Sequence, residues 1–140
     1  MKIVMVIMTL VSLLGLARAE EYAEGQIWSY KTRPGEEKST VLINKIESHD
    51  ILGHIFHISI REIKLKSAAT ASGFVTEITH SPVSEETLKK SLTKVVGKGA
   101  ANSECIEGYY TWKEAFDNGE AGIFTVSVSE IVDLMEKTVN

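Results

Sequence analysis

The stretch His54-Ile55-Phe56-His57-Ile58-Ser59-Ile60 constrains this chain more than any other. Phe56, Ile58 and Ile60 recur at the period of two that places alternate side chains on opposite faces of a sheet, so 54–60 reads as a strand. The apolar parity then changes: the next large apolar residues, Ile63 and Leu65, stand at odd positions. A strict alternation cannot skip a place, and the sequence therefore predicts a bulge or bend near Arg61-Glu62.

Other segments supply partners for that strand. Gln26-Ile27-Trp28-Ser29-Tyr30-Lys31 is aromatic and β-branched and reads as a first strand, and 39–46 as a second. Between them, Arg33-Pro34-Gly35-Glu36 has the chemistry of a type II turn. Pro34 presets φ at the first central position and Gly35 takes the positive φ required next. A long β-hairpin follows from this pattern, with His49-Asp50 to Gly53 as a second connection. Residues 67–73 read as a flexible loop and 74–79 as a fourth strand.

The pattern then turns helical. Ser84 is a good N-cap, Glu85 and Glu86 face the positive end of the helix dipole, and Val83 and Leu88 stand where a hydrophobic staple would. Leu88, Leu92, Val95 and Val96 form one stripe, so a helix is expected up to Gly97. A second helix is expected over 104–116, with Cys105, Tyr109, Trp112 and Phe116 on one face, stopped by Asn118-Gly119. Residues 123–128 read as a final strand. Ser129 then caps a last helix whose Ile131, Val132, Met135 and Val139 face inward while Glu130, Asp133 and Glu136 face water. Five strands and three helices, hairpins first, define an α+β domain with a mainly antiparallel sheet.

The 140 residues are 44 % hydrophobic and 24 % charged, with a net charge of −4, a pI near 5.6 and one cysteine. Such values exclude a disordered chain, a disulfide scaffold, a multi-pass membrane protein and a basic nucleic-acid binder. The first 19 residues differ from the rest. Lys2 forms a minimal positive region, and 3–17 is apolar apart from Thr9, Ser12 and Gly15. Ala17-Arg18-Ala19 then matches a signal-peptidase site, with cleavage expected between Ala19 and Glu20. The apolar run is shorter than the roughly 20 residues a bilayer-crossing helix needs, which makes an uncleaved N-terminal anchor the weaker alternative, and no stable membrane insertion is expected after cleavage. Residues 20–140 would then form a single domain.

The leader carries two of the 15 basic residues and none of the 19 acidic ones, so its loss takes the net charge from −4 to −6. That surface repels phosphate backbones, which argues against DNA or RNA as a partner. A lone Cys105 forms no internal disulfide, so stability in an oxidising compartment has to come from packing. The sequence has no Asn-x-Ser/Thr acceptor, in keeping with a bacterial periplasm.

Residues suited to chemistry are few. His54 and His57 are three apart in a strand, so they point to opposite faces and do not share a metal without distortion. His80 follows a strand and precedes Ser81-Pro82, a loop position of the kind that carries function, which makes it a candidate binding residue; a surface or capping role competes. No metal or other cofactor is expected. Asp117-Asn118-Gly119-Glu120-Ala121-Gly122 fails as an EF-hand, because Gly119, Ala121 and Val128 stand where oxygen ligands are required. Cys105 sits in a helix's first turn, where the dipole lowers a thiol pKa, but its place on the aromatic stripe favours burial. An intermolecular disulfide is the other reading. Trp28, Tyr30, Tyr109, Tyr110 and Trp112 either line a ligand groove or fill the core, with Trp112 and one of the first-strand aromatics expected inside. The charges of the Arg33-Pro34-Gly35-Glu36-Glu37 turn are expected to be exposed, making Arg33, Glu36 and Glu37 candidates for a partner-binding tip beside the alternative of a solvated turn.

The segment Trp28-Ser29-Tyr30-Lys31-Thr32-Arg33-Pro34-Gly35-Glu36-Glu37, with Trp112-Lys113-Glu114-Ala115-Phe116 and Gly122-Ile123-Phe124, resembles a group of small uncharacterised exported bacterial proteins. The resemblance implies a bacterial source and carries no activity. The sequence thus leads to a small binding protein, periplasmic or secreted, whose ligand is a protein or small molecule of the cell envelope, an inhibitor or immunity-type protein being one concrete form. The alternative is a small histidine-dependent hydrolase or lyase using His57 or His80 with a nearby carboxylate.

Overall fold

The computed structural model describes residues 22–140; the expected leader and its Ala19/Glu20 cleavage point lie outside the described residues. Five strands run β1 (Gln26–Tyr30), β2 (Thr40–His49), β3 (Gly53–Lys66), β4 (Phe74–Ser84) and β5 (Leu92–Lys98). Three helices complete the fold: α1 (Glu85–Ser91), α2 (Ser103–Asp117) and α3 (Val128–Val139). The strands form one open antiparallel sheet in the order β4-β3-β2-β1-β5, an α+β domain as expected. No described helix is long and apolar enough to cross a membrane.

The sheet is covered on both faces. Trp28, Tyr30, Val41, Ile43, Phe56, Ile58 and Ile60 pack on one side against Leu88 of α1 and Val128, Ile131 and Val132 of α3. On the other side Ile55 meets Tyr109 and Trp112 of α2. Burying these side chains removes on the order of 1.5–3 kcal/mol each of unfavourable hydration, the main force holding the layers together. The β1–β2 turn forms as expected: Gly35 has φ +86° and the Glu36 N–H donates to the Arg33 carbonyl at 3.1 Å.

Three irregularities set which side chains face which layer. Asn44 is an extra residue between the Ile43↔Ile58 and Lys45↔His57 pairs. Thr79 and His80 together stand opposite Ser59, between the Ile58↔Ser81 and Ile60↔Ile78 pairs. The third is the expected one: the β3–β4 register shifts between Arg61 and Leu65, and Glu62 takes φ +55°. A left-handed conformation at a residue other than glycine is strained, and here it lets Ile63 and Leu65 rejoin the core.

The fold departs from expectation in three places. The helix expected from Ser84 to Gly97 stops at Ser91, and Leu92–Lys98 is β5. Leu92, Val95 and Val96 do fall on a helical stripe, but β1 would otherwise leave one row of backbone groups unpaired. Thr93, Val95 and Val96 are also β-branched and suit a strand. The cost is exposure of Val95 and Val96, 44 % and 50 % open to solvent. Residues 123–128 form no strand; Phe124 makes one parallel bridge to Val83, and Ser127 rather than Ser129 caps α3. Finally, β4 runs through His80-Ser81-Pro82, so these residues belong to a strand and not to a loop.

Helix α2 sits close to β4 because Gly108 allows it. A Cβ built there would lie 2.9 Å from the His80 Cβ. Gly108→Ala should therefore destabilise the protein by about 1–3 kcal/mol in chemical denaturation, although alanine favours a helix intrinsically. A stabilised variant would show that helix and strand are not in forced contact.

Candidate functional site

The face of the sheet beneath α2 carries a line of polar groups within an otherwise apolar interface. Glu47 of β2, His57 of β3 and His80 of β4 stand on adjacent strands. His57 Nε2 lies 2.9 Å from Glu47 Oε1, and His57 Nδ1 lies 2.9 Å from His80 Nε2. The imidazole rings are nearly parallel, at 14° with centroids 5.2 Å apart. The Tyr109 hydroxyl donates to Glu47 Oε2 at 3.1 Å, and the Tyr109 and Trp112 rings meet His57 edge-on at 4.7 and 4.9 Å. His57 is wholly buried.

The Thr79/His80 irregularity explains how three strands bring these groups together. With one residue more on β4 than on β3, His80 turns onto the α2 face while Ile78 and Val83 remain in the opposite core. Asn44 does comparable work on β2. Its amide donates to the His57 carbonyl and to Ser59 Oγ, and its Oδ1 accepts from the N–H of Asn102, the residue that caps α2. One side chain thus ties the strand beneath the histidines to the start of the helix that covers them.

Matching donors to acceptors defines the proton pattern. A carboxylate only accepts, so Glu47 takes the His57 Nε2–H, leaving His57 Nδ1 as an acceptor. His80 must then donate from Nε2, and its lone pair falls on Nδ1, which has no hydrogen-bond partner among the described residues. Burial lowers the pKa of His57, opposed by the bond to Glu47. Burial, reinforced by the neighbouring His57, brings His80 down to about 4. Both rings are therefore neutral at pH 7. Burial pushes Tyr109 up to about 12, with Glu47 adding to the shift, so it stays a phenol.

The remaining candidates lie elsewhere. Expected exposure at the turn holds for Glu37 alone. Glu36 is 3 % exposed, and its carboxylate accepts from Arg33 Nε and Nη2 at 2.8 and 2.9 Å and from the Lys64 N–H at 2.6 Å. Arg33 also reaches Asp133 and Glu136 of α3, at 3.1 and 3.2 Å. These two helix carboxylates therefore serve the arginine rather than facing water only. The turn is drawn inward because the register shift in β3 leaves the Lys64 N–H outside the strand pairing and Glu36 supplies its acceptor.

His54 is exposed while His57 is buried beneath α2, consistent with opposite faces. Trp28, Tyr30, Tyr109 and Trp112 are core residues, and Tyr110 is 67 % exposed. Cys105 is fully buried, and burial pushes its thiol up to about 11, so the helix dipole does not make it reactive. Among the described residues no group of three or more His, Cys, Asp or Glu could hold a metal ion.

Sequence reasoning missed Glu47 and the role of Tyr109. A hairpin turning at 49–53 places Glu47 and His57 diagonally on one face, and that signal was available; the approach of His80 depends on an irregularity no spacing reveals. Compared with protein-family models, curated proteins and solved structures, the chain matches none.

The Arg33–Glu36 pair has a measurable consequence. Burial alone would raise the Glu36 pKa, but Arg33 and the Lys64 N–H outweigh it and hold the carboxyl below its ordinary 4.5. The folded state therefore binds this proton less readily than the unfolded chain. The stabilisation is present above about pH 4.5 and is lost as pH falls through the lowered value. Glu36→Gln should cost about 1.5–3 kcal/mol at pH 7 and flatten the acid limb of a stability–pH curve. A curve parallel to that of the unsubstituted protein would contradict this role.

Proposed function

We propose that this is an exported, non-enzymatic binding domain of the bacterial cell envelope, periplasmic or secreted, whose ligand is a protein or small molecule. Inhibition of, or immunity to, a toxin is its most concrete form. One observation carries the reading: His57, the group best suited to proton transfer, is wholly buried beneath α2, and its carboxylate partner Glu47 spends its oxygens on His57 and Tyr109. An enzyme needs such groups to converge where a substrate fits. Outward-facing features are shallow by comparison. A hollow of about 540 Å3 opens between the β1–β2 turn and the β3 irregularity, bordered by Glu37, Glu62, Lys64 and Thr76. Glu37, the turn residue free of the internal ion pairs, lies on its rim.

Export rests on the apolar leader, and the net acidic surface left after its removal suits a basic protein partner. Native material recovered from the envelope should begin at Glu20 on N-terminal sequencing; material beginning at Met1 would remove the export reading. Immobilised protein should retain a partner from periplasmic extract, and the double variant E37K/T76R, which alters exposed positions around the hollow, should lose it with an unchanged circular-dichroism spectrum. Equal capture by both proteins would exclude the turn as the binding surface.

A histidine-dependent hydrolase or lyase is the second reading, favoured by the unpaired His80 Nδ1 at the end of the chain that runs to Glu47. Alanine at His57 and at His80 should then each abolish any hydrolytic activity found in a substrate screen. Activity that survives both changes would eliminate it.

A further inference from the structure

We propose that the Glu47–His57–His80 chain is a proton-sensitive latch: it holds helix α2 on the sheet while both rings are neutral and lets the helix go as they take up protons. The hydrogen bond between the rings is 2.9 Å long and needs one donor and one acceptor. A first proton can enter at His80 Nδ1 without breaking any bond, but it places a cation on a half-buried ring against the wholly buried His57. A second has only His57 Nδ1 to enter, and two N–H groups would then face each other across that same gap. The nearly parallel rings would both be positive, with the Glu47 carboxylate as the counter-charge. The other ionisable groups that face them offer no relief. Lys45 from β2 and Lys113 from α2 oppose charge on His57, and Tyr109 is an uncharged phenol.

Relief requires water, and α2 is the element that excludes it. Gly108 rests against His80, Tyr109 and Trp112 rest on His57, and Tyr109 bonds Glu47. Lifting this span opens the buried His57 ring to water and completes the hydration of the half-buried His80. The linkage has a definite sign. In the closed state His80 is held near 4, whereas a hydrated histidine titrates near 6.5, so the open state binds more protons between these values. Docking of α2 is therefore complete above about pH 6.5 and weakens as pH falls toward 4. This goes beyond the binding role and does not depend on what the domain binds.

Amide hydrogen exchange on the purified protein, corrected for the intrinsic rate, tests the latch. From pH 6 to pH 5 the opening constant of α2 amides should rise about tenfold on the His80 proton alone, and further as His57 also takes up a proton on opening, while amides of β2 and β3 change less. The Trp112 indole N–H, bonded to the Gly122 carbonyl, should report the same opening by NMR, and Trp28, bonded to Gln26, should not. In His80→Gln, which keeps a donor for His57, the rise should shrink by about the tenfold that His80 contributes. If α2 and sheet amides share one pH dependence in the unsubstituted protein, or if His80→Gln leaves the slope unchanged, the latch is wrong. The first comparison needs no variant, so a His80→Gln protein that fails to fold leaves the test intact.

Discussion

A line of polar atoms survives between a sheet and a helix only when its members satisfy one another, and the layer beneath α2 depends on that condition. Glu47 accepts from His57 and Tyr109, and His57 accepts from His80. Asn44 meanwhile occupies the His57 carbonyl and the main chain that starts the helix. An unpaired buried donor or acceptor costs about 1–3 kcal/mol, so losing one member exposes its neighbours to the same penalty. The network is thus a constraint on register as much as a source of stability. A one-residue slip of β2 or β4 would orphan several groups at once.

The opposite layer solves its polar problem with charge. Near the end of α3, Arg33 gathers Glu36, Asp133 and Glu136, while Glu36 and Glu136 accept from the Lys64 and Lys66 N–H groups of the irregular end of β3. This joins the β1–β2 turn, the β3 irregularity and the last helix. Glu62 can hold its left-handed conformation because the residues around it are bonded from two other elements. The turn, which by its residue types suits a protruding, solvated tip, is consequently part of the scaffold, and Glu37 is left to face outward.

Much of the architecture is legible in the order of the residues. The type II turn at Pro34-Gly35, the β3 irregularity at Glu62, the Ser84 cap and the buried stripe of α2 each follow from a local rule, and each is present. The errors share a cause. Leu92, Val95 and Val96 satisfy a helical period, yet the chain becomes β5 because the free edge of β1, distant in sequence, offers backbone partners. Arg33 and Glu36 read as solvent-facing because nothing near them in sequence reveals Lys64, Asp133 or Glu136. His80 reads as a loop residue because its strand continues past a proline, which an edge strand tolerates where no N–H is needed.

From sequence alone, this protein is an acidic α+β domain whose single cysteine leaves its stability to packing, with periodicity and turn chemistry placing most of its elements. Those properties depend on residues within a few positions of one another. The Glu47–His57–His80 chain, the Arg33 cluster and the conversion of 92–98 into an edge strand were decided only by tertiary structure. Each pairs groups from separate elements, and donor–acceptor matching between distant segments becomes visible only once the strands are in register.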